Sequence, residues 1–212
     1  MNNESNQTDA LACAPENRAI TPALTATTSL SSSFSAIGLN EGILRAVAQS
    51  GYTDPTPVQL RAIPACLEGR DLLVSSQTGS GKTAAFMLPA LHRIALQPAP
   101  QRPAYGERAP RVGGRRPRPT PAQPTVLVLT PTRELALQVT TATATYGKYL
   151  RRIECGSVLG GMPYPKQLAM LARMPDILVA TPGRLLDHIG SGRIDLSKLQ
   201  MLVFDEADRM LD

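Results

Sequence analysis

The sequence predicts an α/β fold: a parallel sheet with helices on both faces. Two observations carry this. Short unbroken apolar runs recur at residues 71–74, 125–130, 157–159, 176–180 and 201–204, and stretches with helical character separate them. Continuous apolar runs, rather than strict alternation, are the pattern of strands buried on both faces. A third observation bears on function. The polar motifs sit at the carboxyl ends of these runs, where open parallel sheets bind ligands.

The elements follow in order. Asn40 is placed to cap a helix that runs through Gln49, and Gly51 stands where a C-terminal glycine belongs. Residues 71–74 (DLLV) form a short strand leading into a glycine-rich loop. A helix follows from Lys82 and ends near residues 97–98. Residues 125–130 (TVLVLT) make the next strand, then come a helix from 132 to about 149 and a strand at 157–159. A helix from 165 to about 172, a strand at 176–180 (DILVA), a helix at 182–189 and a strand at 201–204 (MLVF) complete the pattern.

Charge is concentrated in one place. The chain of 212 residues carries 22 basic and 17 acidic side chains, a net charge of +5. Residues 97–124 hold six arginines and one acid, Glu107, so that segment accounts for the whole excess. It also holds eight prolines and one aromatic residue, Tyr105. Such a segment cannot bury enough apolar surface to offset its ordering entropy and reads as disordered. Two roles stay open for it: an arginine-rich arm for a polyanion, or a solvated insertion. Residues 1–33 read as a disordered polar tail. The three cysteines, Cys13, Cys66 and Cys155, are widely spaced and match neither a zinc site nor a disulfide framework. No signal peptide and no membrane-spanning apolar run is visible, so a cytoplasmic location is expected.

The loop Ser76-Gln77-Thr78-Gly79-Ser80-Gly81-Lys82-Thr83 lies between a strand and a helix. That is the context of a phosphate-binding loop, although the usual pattern has glycine where this chain has Ser76. Backbone N–H groups near a helix N-terminus favour an anion there. In such a loop Lys82 reaches the terminal phosphates and Thr83 is a ligand of Mg²⁺. The run at 201–204 delivers two acids, Asp205 and Glu206, to the end of another strand. Such a pair can hold Mg²⁺ through water and orient an attacking water.

Asp205-Glu206-Ala207-Asp208 spells DEAD. From Phe34 onward, apart from residues 97–124, the chain resembles the amino-terminal RecA-like half of a DEAD-box ATP-dependent RNA helicase. The stretch from Gly51 to Gln59 (GYTDPTPVQ) is similar to the family's Q motif, with Phe34 placed 17 residues before Gly51. The resemblance implies that Gln59 reads the adenine edge and that Phe34 packs on its ring. An amide offers both donor and acceptor for that purpose. The loop corresponds to motif I, where the family commonly has alanine in place of Ser76. Pro131-Thr132-Arg133, Gly160-Gly161 and Thr181-Pro182-Gly183-Arg184 resemble the segments that touch the RNA sugar-phosphate backbone. Without the resemblance, Thr132 and Thr181 read as helix caps. Asp208 is expected to connect to other motifs rather than to hold metal.

What the resemblance implies is an RNA helicase that uses ATP and Mg²⁺, contacts RNA without sequence choice, and works with a second RecA-like domain. Lys82, Asp205 and Glu206 would be its catalytic residues here. Residues 1–212 without that second domain are expected to show negligible RNA-stimulated ATPase. In a sheet of this kind a further strand belongs between 201–204 and 71–74, so both are expected to carry an open edge. Two other readings remain: an RNA-binding piece dominated by the arginine segment, and a phosphate-loop ATPase that does not act on nucleic acid. Loss of RNA affinity on deleting residues 97–124 would favour the first of these, and an ATPase indifferent to RNA the second.

Overall fold

The computed structural model describes residues 33–98 and 120–210. Four strands, β1 (Val126–Leu129), β2 (Cys155–Val158), β3 (Ile177–Ala180) and β4 (Met201–Phe204), form one sheet. Their order is β2-β3-β1-β4 and every pairing is parallel. Leu127 lies opposite both Leu178 and Leu202, which puts the apolar runs in register across the centre. The expected parallel α/β architecture is the one found.

Among the described residues there are six α-helices: α1 (Glu41–Gln49), α2 (Pro57–Leu67), α3 (Lys82–Leu96), α4 (Arg133–Tyr146), α5 (Tyr164–Leu171) and α6 (Pro182–Gly190). Side chains alternate across a strand, and here the alternation splits the core in two. Val126, Val128, Ile177 and Val179 meet Met87, Leu88, Leu91 and Ile94 of α3 and Ala136 and Val139 of α4. Leu127, Leu178 and Ala180 point the other way, toward Leu171 of α5 and Leu185 of α6. Both faces are therefore covered, as buried parallel strands require. Among the described residues no helix is long and apolar enough to cross a membrane.

Helix α2 was not expected, and Pro64 lies inside it. Its start is strongly specified all the same. Thr56 and Gln59 form a capping box, and Pro57 occupies the first turn, where its missing N–H costs nothing.

Two expectations need correction. Residues 71–74 do not form a paired strand. Leu72, Leu73 and Val74 are 44%, 102% and 40% exposed. A strand needs a neighbour to satisfy its backbone, and the strand expected between this run and β4 has no counterpart among the described residues. Among the described residues the same gap leaves β4 paired only to β1. Met201 and Val203 pack against the core, while Leu202 and Phe204 on the other face stay 47% and 57% exposed. The second correction concerns the arginine- and proline-rich segment expected at 97–124. Residues 99–119, like 1–32, lie outside the described residues. Its last part is packed: Ala122 is 1% exposed and bridges Ile194, with Ala122 N donating to Arg193 O and Asp195 N donating to Ala122 O. A short apolar side chain inside a polar stretch gives sequence patterning nothing to register.

The open edge yields a prediction. The amides of Met201 and Asp205 donate to Thr125 O, just before β1, and to Leu129 O at its end. Those of Leu202 and Phe204 alternate outward. Hydrogen exchange should show Leu202 and Phe204 exchanging near the unprotected rate, while Leu127 and Val128 are protected to the level of global unfolding. Equal protection of neighbouring amides in β4 would show that its outer edge is covered.

Candidate functional site

The glycine-rich loop is built by its neighbours. Gly79 and Gly81 take φ of +80° and +87°, in the left-handed region. At Gly81 a side chain is excluded twice, because a Cβ would lie 2.4 Å from Gln59 Nε2. Gln59 Nε2 donates to Gly81 O at 3.1 Å, and Thr56 Oγ1 donates to Ser80 O at 2.8 Å. The first turn of α2 thus grips the loop. Ser76 Oγ and Ser80 Oγ lie 2.8 Å apart in a hydrogen bond that closes the loop across its mouth. The hydroxyl that departs from the usual pattern is therefore a staple.

Lys82 curls back over this loop. Its ammonium donates to Ser76 O and, at 3.0 Å, to Gln77 O. Gln77, Thr78 and Gly79 are exposed, and Thr83 sits in the first turn of α3. That helix has no side-chain cap, so its first N–H groups have no side-chain acceptor at the N-terminus, where the dipole favours an anion.

Asp205 and Glu206 follow β4, as expected. Burial raises the pKa of Asp205 above the ordinary carboxylate value, and the Glu206 charge raises it further. The nearby Lys82 charge and a backbone hydrogen bond at Glu206 oppose this. The lysine and the acid are therefore electrostatic neighbours, although 71–74 and β4 do not pair. Glu206 holds φ at +52°, unusual outside glycine. Arg209 Nη1 approaches Glu206 Oε2 at 3.1 Å, close enough to attract but without hydrogen-bond alignment.

Phe34 and Gln59 are both buried, at 6% and 3% exposure. Phe34 lines a cavity of about 370 Å³ with Leu44, Val47, Ala48, Tyr52 and Thr53. Gln59 is not in that lining, so the structure does not place the two residues on one wall. The Gln59 amide accepts from Thr56 N and donates to Gly81 O, which leaves one hydrogen and one lone pair uncommitted.

The other motif residues converge at the carboxyl ends of β1, β2 and β3. Thr132 caps α4, accepting from Leu135 N at 3.3 Å. Thr181 does not cap α6; its hydroxyl accepts from Gly160 N at 3.1 Å instead. The plain capping reading thus holds for Thr132 and fails for Thr181. Gly161 has φ of +71°, and a Cβ there would lie 3.1 Å from Arg133 Nη1. Arg133 is exposed and forms no ion pair among the described residues. Pro131 leads into α4, while Pro182 and Gly183 open α6. Arg184 Nη1 donates to Met162 O at 3.4 Å and pairs with Asp187 at 3.5 Å. The result is a surface with one guanidinium that is unpaired among the described residues and several backbone N–H groups, a combination suited to anions. Two buried polar residues here, Gln167 and His188, were not singled out by motif reading.

Among the described residues no group of three or more His, Cys, Asp or Glu could hold a metal. Oxygen donors are available at Thr83, in the first turn of α3, and at Asp205, at the end of β4. Hard oxygen donors of this kind suit Mg²⁺ rather than a soft, thiolate-bound metal. The thiol of Cys155 is unsuited to reaction, since burial pushes its pKa up to about 11.

A family model described as DEAD/DEAH box helicase matches residues 56–212. ATP-dependent RNA helicase DeaD of Buchnera aphidicola subsp. Schizaphis graminum is 45% identical over 181 residues, covering 85% of this chain and 26% of that protein. The Escherichia coli K12 protein of the same name is 44% identical over 178 residues, covering 84% and 25%. The chain spans about a quarter of the length of the curated relatives it matches. A crystal structure of a hypothetical ATP-dependent RNA helicase from Sulfolobus tokodaii superposes with a TM-score of 0.65 at 37% identity, covering 82% of this chain and 43% of that one.

Two predictions follow from this geometry. Gly81→Ala should destabilise the chain by about 2 kcal/mol or more in urea unfolding, since a left-handed alanine alone costs about 1–2 kcal/mol and Gln59 must also move. Asp205→Asn should raise the melting temperature at pH 7 in magnesium-free buffer. With the folded pKa above the unfolded one, ionisation of Asp205 destabilises the fold as pH rises through that window, and the penalty persists above it. The gain should shrink as pH falls toward 3.8, the ordinary value. A gain independent of pH would contradict the cause given.

Proposed function

The chain belongs to the DEAD/DEAH box helicase family, and on that premise we propose that it is the ATP- and RNA-binding portion of an ATP-dependent RNA helicase. The observation that carries this reading is the meeting of three separately encoded parts. Gln59 grips the phosphate loop at Gly81, and Lys82 lies within electrostatic reach of Asp205.

In this reading Lys82 exchanges the carbonyls of Ser76 and Gln77 for phosphate oxygens. The N–H groups from Gly79 to Thr83 receive the remaining phosphate charge. Thr83 directly and Asp205 through water would hold Mg²⁺, which supplies charge neutralisation at the phosphates. Glu206, held at its strained φ, orients the attacking water. The uncommitted hydrogen and lone pair of Gln59 meet the adenine edge, and Phe34 supplies apolar surface for the ring. RNA lies across Pro131, Thr132, Arg133, Gly160, Gly161, Thr181, Pro182, Gly183 and Arg184. These offer backbone N–H groups and guanidinium charge but no pattern of base-reading side chains, so binding is indifferent to sequence. In the longer protein, a second RecA-like domain completes the cleft, and ATP hydrolysis is coupled to local unwinding of RNA duplexes. The setting of such work is the cytoplasm.

Calorimetry with Mg-ADP tests the nucleotide half. Saturable binding is expected, and Lys82→Ala should weaken it at least about tenfold, the equivalent of one lost charge-assisted contact. Undiminished binding by the variant would refute the assignment. Arg133→Ala tests the RNA half. It should weaken single-stranded RNA uniformly across sequences and reduce the salt slope by about 0.7, the value for one phosphate contact on a single strand.

A further inference from the structure

Residues 159–162 make a tight turn, with Met162 N donating to Leu159 O at 3.4 Å and the two glycines at its corner. Both ends of this turn are held by one side chain. Gln167, on α5 and 3% exposed, donates through Nε2 to Leu159 O at 3.1 Å and to Met162 O at 3.0 Å. Both hydrogens of its amide are thereby used. Its Oε1 must accept, and the partner is Nε2 of His188 on α6, at 3.2 Å. His188 is fully buried, its ring stacked on Tyr164 with centroids 4.6 Å apart.

The accounting fixes the state of the imidazole. Since Gln167 Oε1 accepts, the proton sits on His188 Nε2. Nδ1 is buried and has no hydrogen-bond partner among the described residues, so a second proton would find no acceptor among them. Burial, the first cause, and the Arg184 charge lower the pKa of His188, in accord with a neutral ring. Buried polar groups that use every hydrogen fix one geometry, because any other leaves a group unpaired.

We infer that Gln167 and His188 are positioning residues that set the shape of the Gly160-Gly161 turn and tie it to α6. The pair fixes where Gly161 N–H points relative to Arg133 on one side and Thr181 on the other. Gly160 N is committed to Thr181 Oγ1, whereas Gly161 N has no acceptor among the described residues. Among the described residues, the amide left free is the one beside the unpaired guanidinium. The inference rests on the RNA reading given above for what that amide receives, while the clamp itself does not.

The test uses the 212-residue chain and three readouts: hydrogen exchange over residues 159–163, anisotropy of fluorescein-labelled oligouridine, and fluorescence of mant-ADP. Gln167→Met keeps the volume and removes both donors. It should speed exchange in the turn and weaken oligouridine about tenfold, with mant-ADP affinity unchanged. His188→Phe keeps the stack on Tyr164 and removes the donor, with a several-fold loss of RNA affinity. His188→Gln restores a donor at similar reach and should recover most of that loss. Unchanged exchange in both Gln167→Met and His188→Phe would overturn the clamp. Equal loss of RNA and mant-ADP affinity would overturn the positioning role, since general unfolding explains it. Faster exchange in a chain whose wild type does not bind oligouridine would support the clamp and overturn the RNA reading. Should Gln167→Met fail to fold, the His188→Phe and His188→Gln pair decides alone.

Discussion

The phosphate loop is held by the first turn of a helix that precedes it in the chain. Thr56 and Gln59 cap α2, and the same two side chains reach across to Ser80 O and Gly81 O. Residues 71–75 in front of the loop make no backbone hydrogen bond among the described residues, so the loop's position depends on α2 behind it and α3 after it. This explains why Gly81 admits no side chain and why Gln59 is buried: the contact is backbone to amide, with no space between. A loop fixed this way can keep its shape if Lys82 changes partners, as the proposed function requires.

Charge in the site is arranged in tension. Asp205 sits next to Glu206 and is partly stripped of water, so its ionised form is disfavoured until positive charge arrives. Lys82 supplies some, but its ammonium is already engaged by two carbonyls. A nucleotide with its cation would relieve both at once: phosphates draw the lysine away and the cation compensates the acid. The strained φ of Glu206 belongs to the same economy, since a residue kept in a sparsely populated conformation is held there by its surroundings.

The sequence made some of this plain and hid the rest for physical reasons. Strands β1, β3 and β4 were legible because apolar runs buried on both faces need only local composition. The helix starting at Lys82 was legible from its glycines. Residues 71–74 misled because their composition is that of a strand, whereas pairing is decided by a neighbour that composition cannot report. Helix α2 was not expected; its internal Pro64 weighs against helix locally yet is tolerated where packing dominates, as Pro89 is inside α3. Gln167 and His188 escaped because a buried polar pair looks like any surface glutamine and histidine until packing shows them enclosed. The only signal was position: a glutamine six residues after a glycine pair, and a histidine on the helix opened by Thr181.

Three helices, α1, α2 and α4, begin with a side chain that satisfies their first N–H groups; α3, α5 and α6 do not. A missing cap commonly costs about 1 kcal/mol. Two of the uncapped helices, α3 and α6, start at the residues assigned to phosphate contact. The fold has given up self-sufficiency at these two places. Neither end is easily capped: the left-handed φ of Gly81 and the close Gln59 amide bar a side chain there, and the Thr181 hydroxyl is turned to Gly160 N. The stability forgone and the capacity for ligand capture therefore lie in the same backbone atoms.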